Sequence, residues 1–380
     1  MKVLIAIDSF KDSLSASEAA RALRKGFLKG IPGADVKTLP MADGGEGTVQ
    51  SLIDATKGKI VALEVMDPLM RPTKSFYGIS GDGKTAIIEM AAASGLEKLS
   101  VSERNPWHTS SYGTGELIKD ALEKGCRKFL VGIGGSATND GGAGMAEALG
   151  VKFSNSAGGS VLKGGGALRE ISKIDMSGIL ADVLDSEIHV ACDVDNPLCG
   201  PEGASAVYGP QKGADPEMVQ KLDRNLEHFS GLISAQLGKE VGLIPGSGAA
   251  GGLGAGLIAF LDATLMKGFD MVAEMAGLEE HIKEADLVIT GEGKIDSQTR
   301  FGKTPYGVAL LAKKYQKPVI AVGGKIESGA ELLYDFGIHA LYPISDGPIS
   351  LEDSISRAGE LLERTGERIA RTLALGKGHG

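Results

Sequence analysis

The opening stretch, Val3-Leu4-Ile5-Ala6-Ile7-Asp8 followed by SASEAARALRKGFLKGI (residues 15–31) and ADVKTLPMAD (residues 34–43), decides the fold. VLIAID is a short uninterrupted apolar run. A strand buried on both faces reads this way, because neither face has to be polar. SFKDSLSA supplies hydroxyls that can cap a helix. The apolar positions Ala19, Leu23, Phe27 and Leu28 then recur at helical spacing. ADVKTLPMAD predicts a second strand, and GGEGTVQSLIDATKG (residues 44–58) a second helix. This β-α-β-α order predicts a parallel sheet with right-handed crossovers.

The pattern returns near the other end of the chain. ADLVITGEG (residues 285–293) reads as a strand and glycine loop, TPYGVALLAKKYQ as a helix, KPVIAVGG and IHALYPISD as strands, and the last long segment as a helix. Between these parts the character changes. Residues 59–91 read as strands joined by tight turns, hence hairpins. A helix (114–125), the buried strand KFLVGIGG, an irregular glycine-rich stretch, the strand EIHVACDVDNPL and a long helix (216–238) follow. The expected fold class is α/β with two α/β domains. Residues 1–60 and 285–380 form one doubly wound parallel sheet. Residues 61–284 form a second, less regular α/β domain inserted into it. A cleft between two such domains is the default ligand site.

Composition limits the function. The chain has 380 residues, 42% hydrophobic and 23% charged, which is the balance of a globular protein rather than a disordered one. Its 56 glycines are about twice the usual share and suggest tight turns and close backbone approaches to ligands. A net charge of −9 argues against a nucleic-acid binder, though not against a local basic pocket. Three cysteines without C-x-x-C spacing point to reduced thiols and a cytoplasmic protein. The N-terminal apolar run is too short for a secretory signal. Val241 to Leu261 has the length of a membrane span, but its proline and seven glycines favour a buried loop leading into a core helix. No membrane contact is expected.

Several glycine motifs resemble phosphate loops. Gly78 followed by Gly83-Lys84-Thr85 matches a P-loop literally, but two strands flank it, so a hairpin turn explains the same residues. Gly246, Gly248 and Gly251 match G-x-G-x-x-G without a clear strand before them or an acidic residue beyond. This segment suits either a generic anion cradle, with Gly251 and Gly252 presenting backbone amides, or close packing of a core helix. The strongest segment runs from Gly132 to Gly142 behind the strand KFLV, at a strand's carboxyl end. Gly134 and Gly135 free backbone amides there, Ser136, Thr138 and Asn139 add neutral polar groups, and Asp140 offers a carboxylate to a metal or hydroxyl.

Other strand ends carry charge. Glu292, Lys294 and Asp296 follow the strand DLVI and suit a Mg²⁺–phosphate site. Asp43 and Glu46 follow the second strand, and Asp8 and Lys11 the first. Asp193 and Asp195 follow IHVAC, where a carboxylate can accept a substrate hydroxyl proton or hold Mg²⁺. Lys212 follows GPQ and is placed to touch an anionic ligand. Each of these has an ordinary alternative as a cap or a solvated turn. The histidines lack metal-ligand spacing, and there is no G-x-S-x-G, so zinc-enzyme and common hydrolase readings fail.

Together the motifs resemble those of the bacterial type-1 glycerate kinases: DSFKDSLSA from Asp8, MADGGEGT from Met41, GIGGSATNDGGAGM from Gly132, CDVDNPL from Cys192, GPQKGA from Gly209, GAAGGLGAG from Gly248 and TGEGKIDSQT from Thr290. The resemblance covers nearly the whole chain. It implies ATP-dependent phosphorylation of D-glycerate, with the 2-position favoured over the 3-position. It also implies that one of the two domains is flavodoxin-like (Rossmann-like) and that the active site lies between the domains. The residues then suggest roles. Asp193, Lys11 and Asp8 are the expected catalytic groups. Gly134, Gly135, Ser136, Thr138, Asn139, Gly251, Gly252, Glu292, Lys294 and Lys212 are expected at ATP, and Asp296 and Asp195 at Mg²⁺. Kinases of other small hydroxy acids or polyols, and a non-catalytic nucleotide sensor, are the alternatives. A homodimer is one assembly compatible with the sequence.

Overall fold

The computed structural model describes residues 1–44 and 47–377. Gly45 and Glu46 of the motif after the second strand, and the last three residues of the terminal GKGHG, lie outside the described residues. The chain forms two compact units. One comprises Met1–Asp43, Gln50–Thr56 and Phe269–Gly380, the other Gly44–Val49 and Lys57–Gly268.

The strands in chain order are β1 (Lys2–Ile7), β2 (Asp35–Pro40), β3 (Lys59–Met66), β4 (Pro72–Ile79), β5 (Thr85–Glu89), β6 (Lys128–Gly132), β7 (Lys152–Ser154), β8 (Lys173–Asp175), β9 (Glu187–Ala191), β10 (Thr264–Met266), β11 (Leu287–Ile295), β12 (Val319–Ile326) and β13 (Ala340–Pro343). The first unit holds a parallel sheet of order β13-β12-β11-β1-β2. Numbered within the unit this is 2-1-3-4-5, the flavodoxin-like order, whose topological switch point lies between β1 and β11. Alternate residues explain the layers. Val3, Ile5 and Ile7 join Leu287, Ile289 and Val322 in a core with Leu23, Phe27, Leu361 and Ile369. Leu4 and Ala6, on the other face of β1, are equally buried.

Helix Ala16–Gly30 starts at a capping box between Ser15 and Glu18 and buries Ala19, Leu23 and Phe27, as the spacing predicts. Its packing against helix Ala358–Lys377 depends on small residues. A Cβ on Gly26 would lie 1.7 Å from the Glu363 carbonyl oxygen.

The second unit holds a mixed sheet of order β10-β9-β6-β5-β4-β3. The strands β3, β4 and β5 are antiparallel neighbours, whereas β5, β6, β9 and β10 run parallel. The literal P-loop match is the β4–β5 hairpin turn: Gly83 has φ +72°, the Asp82 carboxylate accepts from the Lys84 amide at 2.9 Å, and a strand follows. A cluster of Phe153, Phe229 and Phe260, at ring distances of 5.7 to 6.1 Å, fills the core on one side. No helix among the described residues is long and apolar enough to cross a membrane. The suspect segment instead ends in the buried helix Ala249–Leu261.

Candidate active site

In the first unit, charged residues gather where β1, β2 and β11 end. Asp8 directly follows β1, and its amide donates to the Gly291 carbonyl of β11 at 3.0 Å. One Asp8 oxygen accepts from the Ser9 amide at 2.6 Å and the other from the Thr304 hydroxyl at 2.6 Å. Desolvation, reinforced by the nearby Asp43 and Glu292 charges, raises the Asp8 pKa to about 7. Glu292 accepts from the Thr299 hydroxyl at 2.7 Å and pairs with Lys303 at 3.1 Å. Burial pushes its pKa up, and Lys303 and Thr299 pull against that shift. A carboxyl poised near neutrality at a sheet's switch point has the properties of a general base.

The neighbouring charges are less available. Lys294 bridges Asp296 and Glu327, at 3.0 Å each. The Asp296 carboxylate, lowered in pKa chiefly by Lys294, also accepts the Gln298 amide at 2.8 Å and so closes a turn. Lys11 is exposed on the loop after β1.

In the second unit, β6 delivers the glycine loop. Gly134 and Gly135 are exposed, and Gly135 has φ +72°. The following residues, Ser136 to Asp140, are buried. Asp140 proves to be an anchor. Its carboxylate accepts from the Ser111 amide (2.8 Å) and hydroxyl (2.9 Å) and from the Gly144 (3.2 Å) and Gly142 (3.3 Å) amides. It is fully buried, so the expectation that it offers oxygens to a metal or hydroxyl is corrected: its oxygens are taken up by these donors. Burial raises its pKa and the donors oppose the rise.

Lys212 also lies inside, only 1% exposed, donating to the Ser136 hydroxyl at 2.7 Å and the Thr138 carbonyl at 2.6 Å. Desolvation lowers its pKa to about 7, and Asp140 opposes the shift. The Asn139 amide group donates to the Ser205 hydroxyl at 3.0 Å. Asn139 Oδ1 and Thr138 Oγ1 are buried polar atoms with no hydrogen-bond partner. Gly251 and Gly252 lie beneath this loop at φ +69° and +85°. A Cβ on Gly251 would sit 2.0 Å from the Thr138 carbonyl, and the Gly141 amide donates to the Gly251 carbonyl at 3.1 Å. The packing alternative therefore accounts for Gly251: any side chain there would displace the loop.

Asp193 accepts the Gly268 amide at 3.0 Å, and its side chain is exposed. Asp195 is 80% exposed and pairs with Lys267 at 3.5 Å. Asp195 and Asp296 belong to different units. Among the described residues no group of three or more His, Cys, Asp and Glu side chains is arranged to hold a metal ion.

The sequence reading missed Thr299, Lys303 and Thr304. A signal for the last was present: Thr304-Pro305 opens a helix, and proline in a first turn marks a helix start. A helix that follows β11 begins at the same sheet end as Asp8.

Comparison with known proteins agrees with this architecture. The profile of the Glycerate kinase family matches residues 3–374. A glycerate kinase of Bacillus subtilis (strain 168) is 52% identical over 377 residues, 99% of each chain. A glycerate 2-kinase of Escherichia coli (strain K12) is 49% identical over 376 residues, also 99% of each. The crystal structure of a glycerate kinase 2 candidate from Salmonella typhimurium LT2 superimposes with a TM-score of 0.93 at 48% identity, covering 99% of both chains. With its motifs in place from end to end and its fold shared at this identity, the chain belongs to the glycerate kinase family and is a kinase.

Proposed function

We propose that the protein transfers the γ-phosphoryl group of ATP to the 2-hydroxyl of D-glycerate, giving 2-phosphoglycerate and ADP in the cytoplasm, where ATP is supplied. The choice of the 2-position follows the Escherichia coli relative, whose name specifies it. The oxygen of the 2-hydroxyl bonds to phosphorus, the bond from phosphorus to the ADP oxygen breaks, and the hydroxyl proton goes to a base.

The observation that carries the mechanism is the placement of the Asp8 carboxyl at the end of β1, where it accepts from the Ser9 amide and the Thr304 hydroxyl and where desolvation raises its pKa. Asp8 accepts the proton and Thr304 keeps its carboxylate oriented. Lys11, exposed and close to Asp8 in the chain, is assigned to the glycerate carboxylate. Asp193, steadied by the Gly268 amide, is assigned to orienting the substrate hydroxyl.

ATP phosphates are assigned to the loop after β6. The residues fit such an anion: Gly134 and Gly135 are exposed backbone, and no backbone carbonyl among the described residues accepts from the Gly134, Gly135 or Ser136 amides. Mg²⁺ on the nucleotide neutralises phosphate charge when bound. Oxygen donors suit it, and Asp195, exposed and paired with Lys267 only at 3.5 Å, is more accessible than Asp296, which Lys294 holds at 3.0 Å. Lys294, Glu292 and Lys303 form the polar wall of the first unit's sheet end.

Phosphorus NMR of protein with Mg-ATP and D-glycerate tests this. A phosphate on C2 couples to one proton and gives a doublet; one on C3 couples to two and gives a triplet. A doublet is expected. A triplet overturns the position, and no new signal from folded, ATP-binding protein overturns the substrate.

A further inference from the structure

The GPQKGA motif reads in sequence as a lysine reaching for an anion, and the structure assigns it a different task. Lys212 ends the turn Pro210–Lys212, where its amide donates to the Gly209 carbonyl at 3.0 Å. Gly213 follows at φ +95°, and a Cβ on it would lie 2.2 Å from the Arg104 carbonyl oxygen. The backbone is thus pressed against its neighbours and the side chain is directed inward. At 1% exposure the ammonium has almost no surface to offer a ligand. A lysine serving phosphate directly is a flexible, hydrated point charge at a surface. Two of the three Lys212 protons are instead committed to Ser136 and Thr138.

Those contacts lie directly behind the exposed Gly134-Gly135 turn. At the other end of the loop Asp140 is held by Ser111, Gly142 and Gly144. The loop is therefore clamped by the buried Lys212 at one end and a buried carboxyl at the other, with the exposed Gly134 and Gly135 ahead of the lysine.

We propose that Lys212 is a positioning residue for phosphoryl transfer: it fixes the Gly134–Thr138 turn through the Ser136 hydroxyl and the Thr138 carbonyl, so that the turn presents its amides to the ATP phosphates, and it does not touch the nucleotide. The proposal rests on the reading of that turn as the phosphate site. A preorganised set of donors loses much of its effect when it is displaced by as little as 1 Å.

The test is a double-mutant cycle with Lys212→Met and Ser136→Ala, reading kcat and the KM for ATP and for glycerate separately, with unfolding midpoints as a control. Lys212→Met is expected to raise the ATP KM about tenfold or more, and Ser136→Ala about threefold, with the glycerate KM within about twofold of the parent. The double variant is expected to match Lys212→Met, because both changes break the same clamp. Multiplicative effects would show that the lysine acts on the ligand by a separate contact, and would overturn the proposal. So would an unchanged ATP KM in Lys212→Met. Should Lys212→Met fail to fold, Ser136→Ala decides: a parental ATP KM in that variant also overturns it.

A third variant separates this proposal from the reading beneath it. A Cβ on Gly134 meets nothing within 4 Å, so Gly134→Val should fold. If Gly134→Val leaves the ATP KM unchanged while the cycle is still non-additive, the clamp stands and the ligand assigned to the turn is wrong.

Discussion

Asp8 combines the two conflicting demands of a half-buried base. Its carboxyl must lose a proton to work, yet burial and the Asp43 charge resist that loss and raise its pKa to about 7. The acid limb of kcat/KM is therefore expected near pH 7. Asp43→Asn removes a charge that raises the Asp8 pKa, so the limb should move to lower pH; an unmoved or higher limb would exclude Asp8 as the titrating base. Asp8→Asn should lower kcat by about 10²–10⁴, the usual contribution of a general base. The same variant should gain stability. The folded pKa lies above the 3.8 of the free side chain, so the native state holds the proton that the unfolded chain releases. Native stability from this group is full below about pH 4 and is lost as pH rises to 7. The advantage of Asp8→Asn over the parent should thus grow from pH 4 to 7 and then level, reaching about 4 kcal/mol, as urea unfolding at several pH values would show. At this scale the sequence is half legible. Asp8 can be picked out because a carboxylate after a buried strand lies at the ligand end of the sheet. Its partner Thr304 is 296 residues away, and local pattern says nothing about such a pair. Burial was the other gap: Asp140 and Lys212 look like free charges in the sequence, and only the packing shows them enclosed.

Helix Ala16–Gly30 shows what periodicity reveals and what it leaves out. Its apolar face is readable from Ala19, Leu23 and Phe27, and its start from the Ser15–Glu18 capping box. Its partner, helix Ala358–Lys377, comes from the far end of the chain, and no spacing rule connects them. The closeness of the pair follows from glycines. Gly26 faces the Glu363 carbonyl and Gly366 faces the Leu23 carbonyl, where a Cβ would lie at 2.3 Å. In an isolated helix Gly→Ala stabilises by roughly 0.5–1 kcal/mol. Here Gly26→Ala should reverse that sign and destabilise the protein by about 3 kcal/mol, because the added methyl forces the helices apart. Gly33→Ala, where nothing lies within 4 Å, is the control and should stay within about 0.5 kcal/mol of the parent. Chemical denaturation of both variants checks this, and an equal response would mean that the helix pair yields freely. The hairpin at Gly81–Lys84 shows the opposite case. There the residues on either side of a literal P-loop match were enough to decide, because strands carry their own β-rich pattern.

The two-part organisation was visible in the sequence as a parallel pattern interrupted and resumed, but the point of resumption was not. Residues 268–284 form two short helices, Gly268–Met275 and Leu278–Glu284. Leu278–Glu284 packs on β1 and on helix Thr304–Lys314 of the first unit. An amphipathic helix shows that it covers a sheet without showing which one, so the sequence boundary near 285 and the compact-unit boundary at Gly268 differ by those helices. The second unit has what independent folding requires. Its core is continuous from Tyr77 and Phe129 to Phe229 and Phe260, and its sheet has six strands. Apart from Gly44–Val49 it is a single segment, the layout of an inserted domain. A chain of residues 57–268 alone should therefore fold and unfold in one cooperative urea transition followed by far-UV and near-UV circular dichroism. It forfeits the hydrogen bond from the Val49 amide to Glu89, at 2.9 Å, and the buried Val49 side chain with it. The expected cost is about 2 kcal/mol, smaller than the 5–15 kcal/mol of a typical domain. Near-UV signal that disappears before the far-UV signal would show that the unit's packing depends on the rest of the chain, and that the inserted part is not a domain in the physical sense.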